Sequence, residues 1–386
     1  MDSPRREERY DAQRSEARKD GSGRSVSSAG DVNGDGFDDI IIGADGGDPR
    51  GDPFAGESYV VFGKAGGFAA KLDLATLDGS NGFRLDGLDA FDQSGRSVSS
   101  AGDVNGDGFD DIIIGAYRAI VGGDRGAGQS YVVYGKAGGL AASFDLATLD
   151  GSNGFRLDGV DLLDFSGLSV SAAGDVNADG FDDILIGAPD ANPGGDSDAG
   201  ESYVVFGKAG GFAASLDLAT LNGSNGFRID GVDELDLSGG SVSSAGDMNG
   251  DGFDDNIIGA PFADPGGDLG AGESYVVFGR APDAAVRRVG SAADQTIRGG
   301  DFNDTLIGRG GDDVLAGGAG HVRLKGGPGA DDFCWRAVPS PARTRSLISA
   351  ARIASRSTAA SSAFPKTISR RGASSWARPR KTRTIA

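Results

Sequence analysis

The sequence predicts an all-β fold, a partial β-propeller of three full blades plus a partial fourth. Two observations predict it. The segment GDVNGDGFDDIIIGA starts at Gly30, and its relatives start at Gly102, Gly174 and Gly246, a constant step of 72 residues. Each copy also holds short β-branched runs separated by turn residues, with no helical periodicity between them. Self-similarity at a long fixed period marks a repeat architecture, and four short strands per repeat mark a propeller blade. The 68 glycines among 386 residues fit many tight turns, and no Gly-X-Y period is present.

The strands follow in order. Ser25–Gly30 alternates small and apolar residues. Asp39–Ala44 (DIIIGA) is a β-branched run short enough for a buried strand, and Ser58–Phe62 (SYVVF) is a second. Phe83–Asp86 (FRLD) alternates apolar with polar and reads as the most exposed of the four. GESYVVFGK at Gly56 and NGFRLDG at Asn81 recur with the same step, without insertion or deletion, but the fourth unit lacks the NGFRLDG strand. The units could close a small ring, since propellers exist with about four blades, or form an open arc with exposed edges. Asn256 replaces Ile40, Ile112 and Ile184 of the other units, a polar side chain that should weaken the last blade.

Between the first two strands lies a nine-residue loop with side-chain oxygens at positions one, three, five and nine. The candidate ligands are Asp31, Asn33, Asp35 and Asp39; Asp103, Asn105, Asp107 and Asp111; Asp175, Asn177, Asp179 and Asp183; and Asp247, Asn249, Asp251 and Asp255. The carbonyls of Phe37, Phe109, Phe181 and Phe253 add a further oxygen each. Such a set suits calcium, a hard cation that takes about 6–8 oxygens, better than magnesium, which dislikes flexible all-protein cages. Three carboxylates offset a divalent charge and repel one another without it. An EF-hand opens with the same spacing but needs Glu at position twelve and flanking helices; here position twelve is Ile42, Ile114, Ile186 or Ile258, inside a β-branched run.

DVNGDGFDDIIIGA followed by GESYVVFG resembles the FG-GAP repeat of integrin α-subunit propellers and their bacterial relatives, over residues 22–280. The resemblance implies a calcium-stabilised propeller, with the four ligand sets as its metal sites. That family usually closes seven blades, and this chain has fewer units.

A second period of nine residues starts at Gly299, Gly308, Gly317 and Gly326. It resembles the calcium-binding nonapeptide of RTX proteins, which implies a short parallel β-roll over 299–333. By that resemblance Asp304, Asp313 and Asp331, at the sixth position, hold calcium with glycine-turn carbonyls. The third unit departs, with Val322 in place of Asp, and His321, the only His, reads as a drifted repeat position. Residues 281–298 read as a linker.

The formal net charge of −20 hides an asymmetry: the 54 residues from Phe333 onward hold 12 Lys or Arg and no acidic residue. Acidic excess before that point argues for cations and against nucleic acid. The tail, 334–386, reads as disordered and translated out of frame. Residues 1–21 are charged and expected to be disordered, with no apolar run for a signal peptide. No membrane span is expected. One Cys excludes an intrachain disulfide, and one His and one Cys leave no nucleophilic triad. Arg50-Gly51-Asp52 reads as a chance match to an integrin-recognised tripeptide. The pair Asp38/Asp39 could suggest acid–base chemistry, but its repetition in every unit argues against one active site.

The expected function is non-enzymatic: a calcium-binding extracellular or cell-surface module for binding or adhesion, with a protein or glycan ligand and calcium as structural clamp. Two alternatives stand beside it, a non-catalytic appendage of a secreted hydrolase or toxin and a calcium-dependent assembly protein whose units associate edge to edge. The RTX resemblance implies export by a type I-like route, whose C-terminal signal an out-of-frame tail would lack.

Overall fold

A computed structural model describes residues 20–282 and 284–334. Most of the charged N-terminal segment and all but one residue of the basic tail lie outside the described residues, as do the expectations of disorder attached to them. The described chain is all-β, with short 3-10 turns and no α-helix.

The first blade comprises β1 (Ser25–Gly30), β2 (Asp39–Ala44), β3 (Glu57–Val61) and β4 (Gly82–Asp86), antiparallel in that order. The second has β5 (Ser97–Gly102), β6 (Asp111–Ala116), β7 (Gln129–Val133) and β9 (Gly154–Asp158), with β8 (Ser143–Asp145) on the connection between β7 and β9. The third repeats this with β10 (Ser169–Gly174), β11 (Asp183–Ala188), β12 (Glu201–Val205), β13 (Ser215–Asp217) and β14 (Gly226–Asp230). The fourth stops after β15 (Ser241–Gly246), β16 (Asp255–Ala260) and β17 (Glu273–Val277). The sequence-derived limits match β1 and β2, while β3 and β4 each start one residue earlier.

The strand not foreseen is β8. It pairs in parallel with β4 of the preceding blade, Arg84 opposite Ser143, and β13 does the same to β9. A 3-10 turn follows, capped by the Asp145 carboxylate, which accepts from the Ala147 N–H at 2.9 Å, and it drives Leu146 into the inter-blade core. The second and third units thus latch the outer edge of the blade before them. This corrects the expectation that the FRLD strand is the most exposed: Phe83, Leu85, Phe155 and Leu157 are buried. Only β14, which lacks a latch, leaves Arg228 and Asp230 exposed. Lys71–Asp73, at the equivalent place in the first unit, has no preceding blade among the described residues and is not a strand.

Apolar packing is concentrated between blades. One cluster joins Ile41, Val60 and Phe83 of the first blade to Val98, Ile112 and Tyr131 of the second. Its counterpart joins Ile113, Val132 and Phe155 to Val170, Ile184 and Tyr203. A smaller one joins Leu185 and Val204 to Val242 and Ile258. The innermost strands pack β1 on β5, β5 on β10 and β10 on β15. Among the described residues the sheets do not close, and the four blades form an open arc.

Residues from Arg287 onward form a parallel roll. Strands β18 (Arg287–Val289), β20 (Thr305–Ile307) and β22 (Arg323–Lys325) make one sheet; β19 (Thr296–Arg298), β21 (Val314–Ala316) and β23 (Asp332–Cys334) make the other. Ile297, Leu306, Leu315, Val322 and Leu324 fill the space between them. Val322, standing where other units have Asp, is thereby part of the core. The first two strands fall in 281–298, read from sequence as a linker. They lack the glycine–aspartate signature, yet Arg288 registers on Leu306 and Ile297 on Leu315, so the ladder extends through them.

Asn256 is 1% exposed in the third inter-blade interface, and its Oδ1 has no hydrogen-bond partner. A buried polar group left unpaired costs about 1–3 kcal/mol. Asn256→Ile is therefore expected to stabilise the fourth blade by about that amount, read as a higher melting temperature in calorimetry; an unchanged or lower value would contradict this packing.

Candidate metal centres

Each propeller loop folds on its own carboxylates. Asp31 accepts from the N–H groups of Gly34, Asp35 and Gly36 at 2.8, 3.1 and 2.8 Å. The Asn33 Oδ1 accepts from the Asp35 N–H at 2.8 Å, and Asp35 accepts from Phe37 at 3.0 Å. Asp39 opens β2 and ties the loop to the sheet, accepting from Val32 at 3.1 Å and from Gly63, past the end of β3, at 2.8 Å. The second and fourth loops repeat the pattern through Asp103, Asn105, Asp107 and Asp111, and through Asp247, Asn249, Asp251 and Asp255. The structure thus gathers each predicted set into one loop. Among the described residues no three Asp, Glu, His or Cys side chains form a ready-made cation cage.

The donor chemistry fits a hard cation. Burial pushes the Asp39 carboxyl up to about 6, against the hydrogen bonds from Gly63 and Val32 and with help from the charges of Asp35 and Asp31. Burial likewise raises Asp111 and Asp183 well above the ordinary carboxylate range, with the loop aspartates beside them adding to the effect. Crowded, buried carboxylates disfavour their own charge, and a divalent cation would offset that.

The third loop differs. Ala178 replaces glycine and sits at φ 56°. The Asn177 Oδ1 is buried without a partner, a lone pair free for a cation, and its amide turns to Asp183 at 3.4 Å. The roll lies on this loop: the Ala178 carbonyl accepts from the Arg298 N–H at 2.8 Å and from the Arg288 guanidinium, and the Gly180 carbonyl accepts from the Gln295 amide. Burial raises the Asp175 and Asp179 carboxyls, to about 7 and about 6, and the charge of buried Arg288 offsets this only in part. The third loop thus has the Arg288 guanidinium at hand, and Arg298 of the roll lies against Gly252 of the fourth loop.

The first aspartate of each pair, which sequence reading left without a role, spans the gap between blades. Asp110 accepts from the Asp31 N–H at 2.8 Å, Asp182 from Asp103 at 2.9 Å and Asp254 from Asp175 at 3.0 Å. Each clamps the root of the preceding loop. The approach is so close that a Cβ on Gly102, at φ +69°, would lie 2.2 Å from the Asp182 carboxylate. The loop phenylalanine adds to it, with Phe109 packed on Gly34 and Phe181 on Gly106. The signal was in the sequence, as a second carboxylate repeated wherever the ninth-position ligand is.

In the roll, Asp304 accepts from Val286 and Gly300, at 2.9 and 2.8 Å, and Asp331 from Asp313 and Gly327, at 3.3 and 3.0 Å. Asp313 accepts from Gln295 at 3.1 Å, while its Oδ2 is buried without a partner, again an oxygen suited to a cation. Arg50 of the Arg-Gly-Asp turn is held by the Gly87 carbonyl at 2.8 Å and by Asp145 at 2.9 Å, a latch between the first two units.

Comparison with known proteins agrees with this geometry. FG-GAP repeats match at residues 22–61, 94–133, 166–205 and 238–277, and the RTX calcium-binding nonapeptide repeat matches at 289–324 and 311–333. The chain is 28% identical over 232 residues to integrin alpha-PS2 of Drosophila melanogaster, covering 59% of this chain and 14% of the relative. It is 30% identical over 239 residues to integrin alpha pat-2 of Caenorhabditis elegans, covering 60% and 17%. It is 31% identical over 173 residues to phosphatidylinositol-glycan-specific phospholipase D of Bos taurus, covering 45% and 19%. The chain thus spans less than a fifth of the length of these relatives. The chain carries four FG-GAP repeats, folded as integrin-like propeller blades, followed by RTX nonapeptide repeats. More particularly, it has four propeller units and a roll of two parallel sheets, and the roll's repeats match a calcium-binding motif.

The clamp makes a differential prediction. Asp110→Ala or Asp182→Ala leaves a loop N–H without its acceptor and should cost about 1–3 kcal/mol in urea unfolding. Asp38→Ala, at the exposed end with no preceding blade, should be near neutral in the dilute chain. Equal losses at all three positions would contradict the clamp.

Proposed function

We propose that calcium binds the four propeller loops and the roll aspartates, and that it serves as a structural clamp in an extracellular or surface-associated module that binds a protein or glycan. The observation that carries this reading is the fourfold recurrence of one donor set, three carboxylates and an Asn oxygen, in the same place at the blade-to-blade junction. The ligands are Asp31, Asn33, Asp35, Asp39 and their equivalents, each with the Phe carbonyl of its loop; in the roll they are Asp304, Asp313 and Asp331. When bound, calcium supplies charge and oxygen coordination, not reactivity. The chain's own residues hold the loop open with backbone N–H groups and fix its root to the next blade.

A second reading, a non-catalytic appendage of a secreted hydrolase, is favoured by the likeness to the phospholipase D relatives, which are named for an enzymatic activity. Among the described residues no helix is long and apolar enough to cross a membrane.

Calorimetry with calcium and with chelator tests the proposal. Calcium at a hundred times its dissociation constant should add about 2.7 kcal/mol per site, raising the melting temperature. Asp107→Asn keeps an acceptor for the Phe109 N–H but removes a charge. It should shrink that rise, while the chelated melting temperature stays level or climbs slightly because one of the mutually repelling charges is gone. A melting temperature indifferent to calcium would overturn the reading.

A further inference from the structure

We propose that the two open ends of the blade arc bind each other between copies, so that the first blade of one chain docks on the fourth blade of a second. This goes beyond the proposed function and rests on the blade faces, not on what the loops bind.

Inside the chain, two sets of residues build every interface. Val98 and Ile112 face the preceding blade and are 4% and 1% exposed; their equivalents at the start of the arc, Val26 and Ile40, are 67% and 46% exposed. Ile113 and Val132 face the following blade and are both 0% exposed; their equivalents at the end, Ile257 and Val276, are both 37% exposed. Met248 and Phe278 beside them are also exposed; the roll reaches this blade's loop through Arg298 at Gly252, and Gly246 and Gly250 stay open. Contiguous apolar patches of this kind mark interaction surfaces.

The polar halves are split in the same way. Among the described residues, exposed Asp38 has no preceding loop to clamp and the Asp247 N–H has no following carboxylate. Gly246 faces open space, whereas Gly30, Gly102 and Gly174 each lie against the next blade's aspartate. The Ser25, Ser97 and Ser169 hydroxyls accept from the N–H of Val98, Val170 and Val242 at 3.1, 3.0 and 3.0 Å; among the described residues Ser241 has no such donor. A second copy supplies every missing half in the register the chain already uses. Its Asp38 completes the root of the fourth loop, its Val26 N–H reaches Ser241, and its Ile40 covers Ile257. No other occupant is specified so fully by the surface. Two copies of four blades make eight, at the upper end of the ring sizes propellers adopt, roughly 4–8. A head-to-tail contact either closes such a ring or extends as a chain.

Sedimentation velocity on the full chain at saturating calcium, from about 1 to 100 μM, tests this over the range where standard interfaces of about 800 Å² per partner associate. The expected result is a mass of two copies or a longer series. Val26→Glu and Ile257→Glu lie at opposite ends and are exposed, so each should melt like the parent monomer yet fail to self-associate. Mixed in equal amounts, they should form a two-copy complex, because each retains one intact face. A parent chain that stays monomeric throughout overturns the proposal, as does an Ile257→Glu chain that assembles like the parent or a mixture that stays monomeric. A monomer that still melts higher with calcium would fail this proposal alone and leave the calcium reading standing.

Discussion

Asp110, Asp182 and Asp254 each reach across from one blade to the backbone N–H that opens the preceding blade's aspartate loop. The residue after each, Asp111, Asp183 or Asp255, is bound within its own loop to the N–H groups that join loop and sheet. Two adjacent carboxylates thus tie the loop to its own blade and to its neighbour. Charge-assisted hydrogen bonds of this kind are stronger than neutral ones and demand close approach. The glycine before the loop, the phenylalanine within it and the apolar faces on either side all accommodate that approach. A cation held by the same loop would brace both connections at once.

Much of this was legible in the sequence because the repeat is so regular. DIIIGA and the YVV run are β-branched, short and bounded by turns, and both became buried strands. The FRLD strand was misjudged because alternation describes a strand alone, whereas here the next unit pairs with it. Ser143–Asp145 was invisible for the same reason: three residues carry no periodicity, and their strand character depends on a neighbour 59 residues earlier in sequence, Arg84 opposite Ser143. Lys71–Asp73, with the same place in its unit and no neighbour, stays irregular. Tertiary context, not propensity, decides these short segments.

The donor set of the loops was read from spacing, but its second carboxylate was not. Asp38 and its equivalents looked redundant beside a ninth-position ligand, and their partner lies in another blade, 79 positions away in sequence, beyond any local pattern. The start of the roll was missed because Arg287–Val289 and Thr296–Arg298 lack the glycine–aspartate motif and are recruited by parallel pairing. Their recruitment also explains the bare edge of β14. Residues 287–289 fall where the latch on β14 belongs, and they join the roll instead. The same diversion places Arg288 on the third loop and Arg298 beside Gly252 of the fourth, so these two loops gain a positive charge from the roll.

The central claim is that the aspartate loops couple calcium to the contact between blades. Residue-resolved amide hydrogen exchange, on chain dilute enough to be monomeric, tests it most directly. The N–H groups of Asp31, Asp103 and Asp175 should be strongly protected with calcium and lose much of that protection in chelator, while the Asp247 N–H, with no following blade, should exchange fast in both. Protection at the first three that is indifferent to calcium, or equal protection at Asp247, would contradict the account.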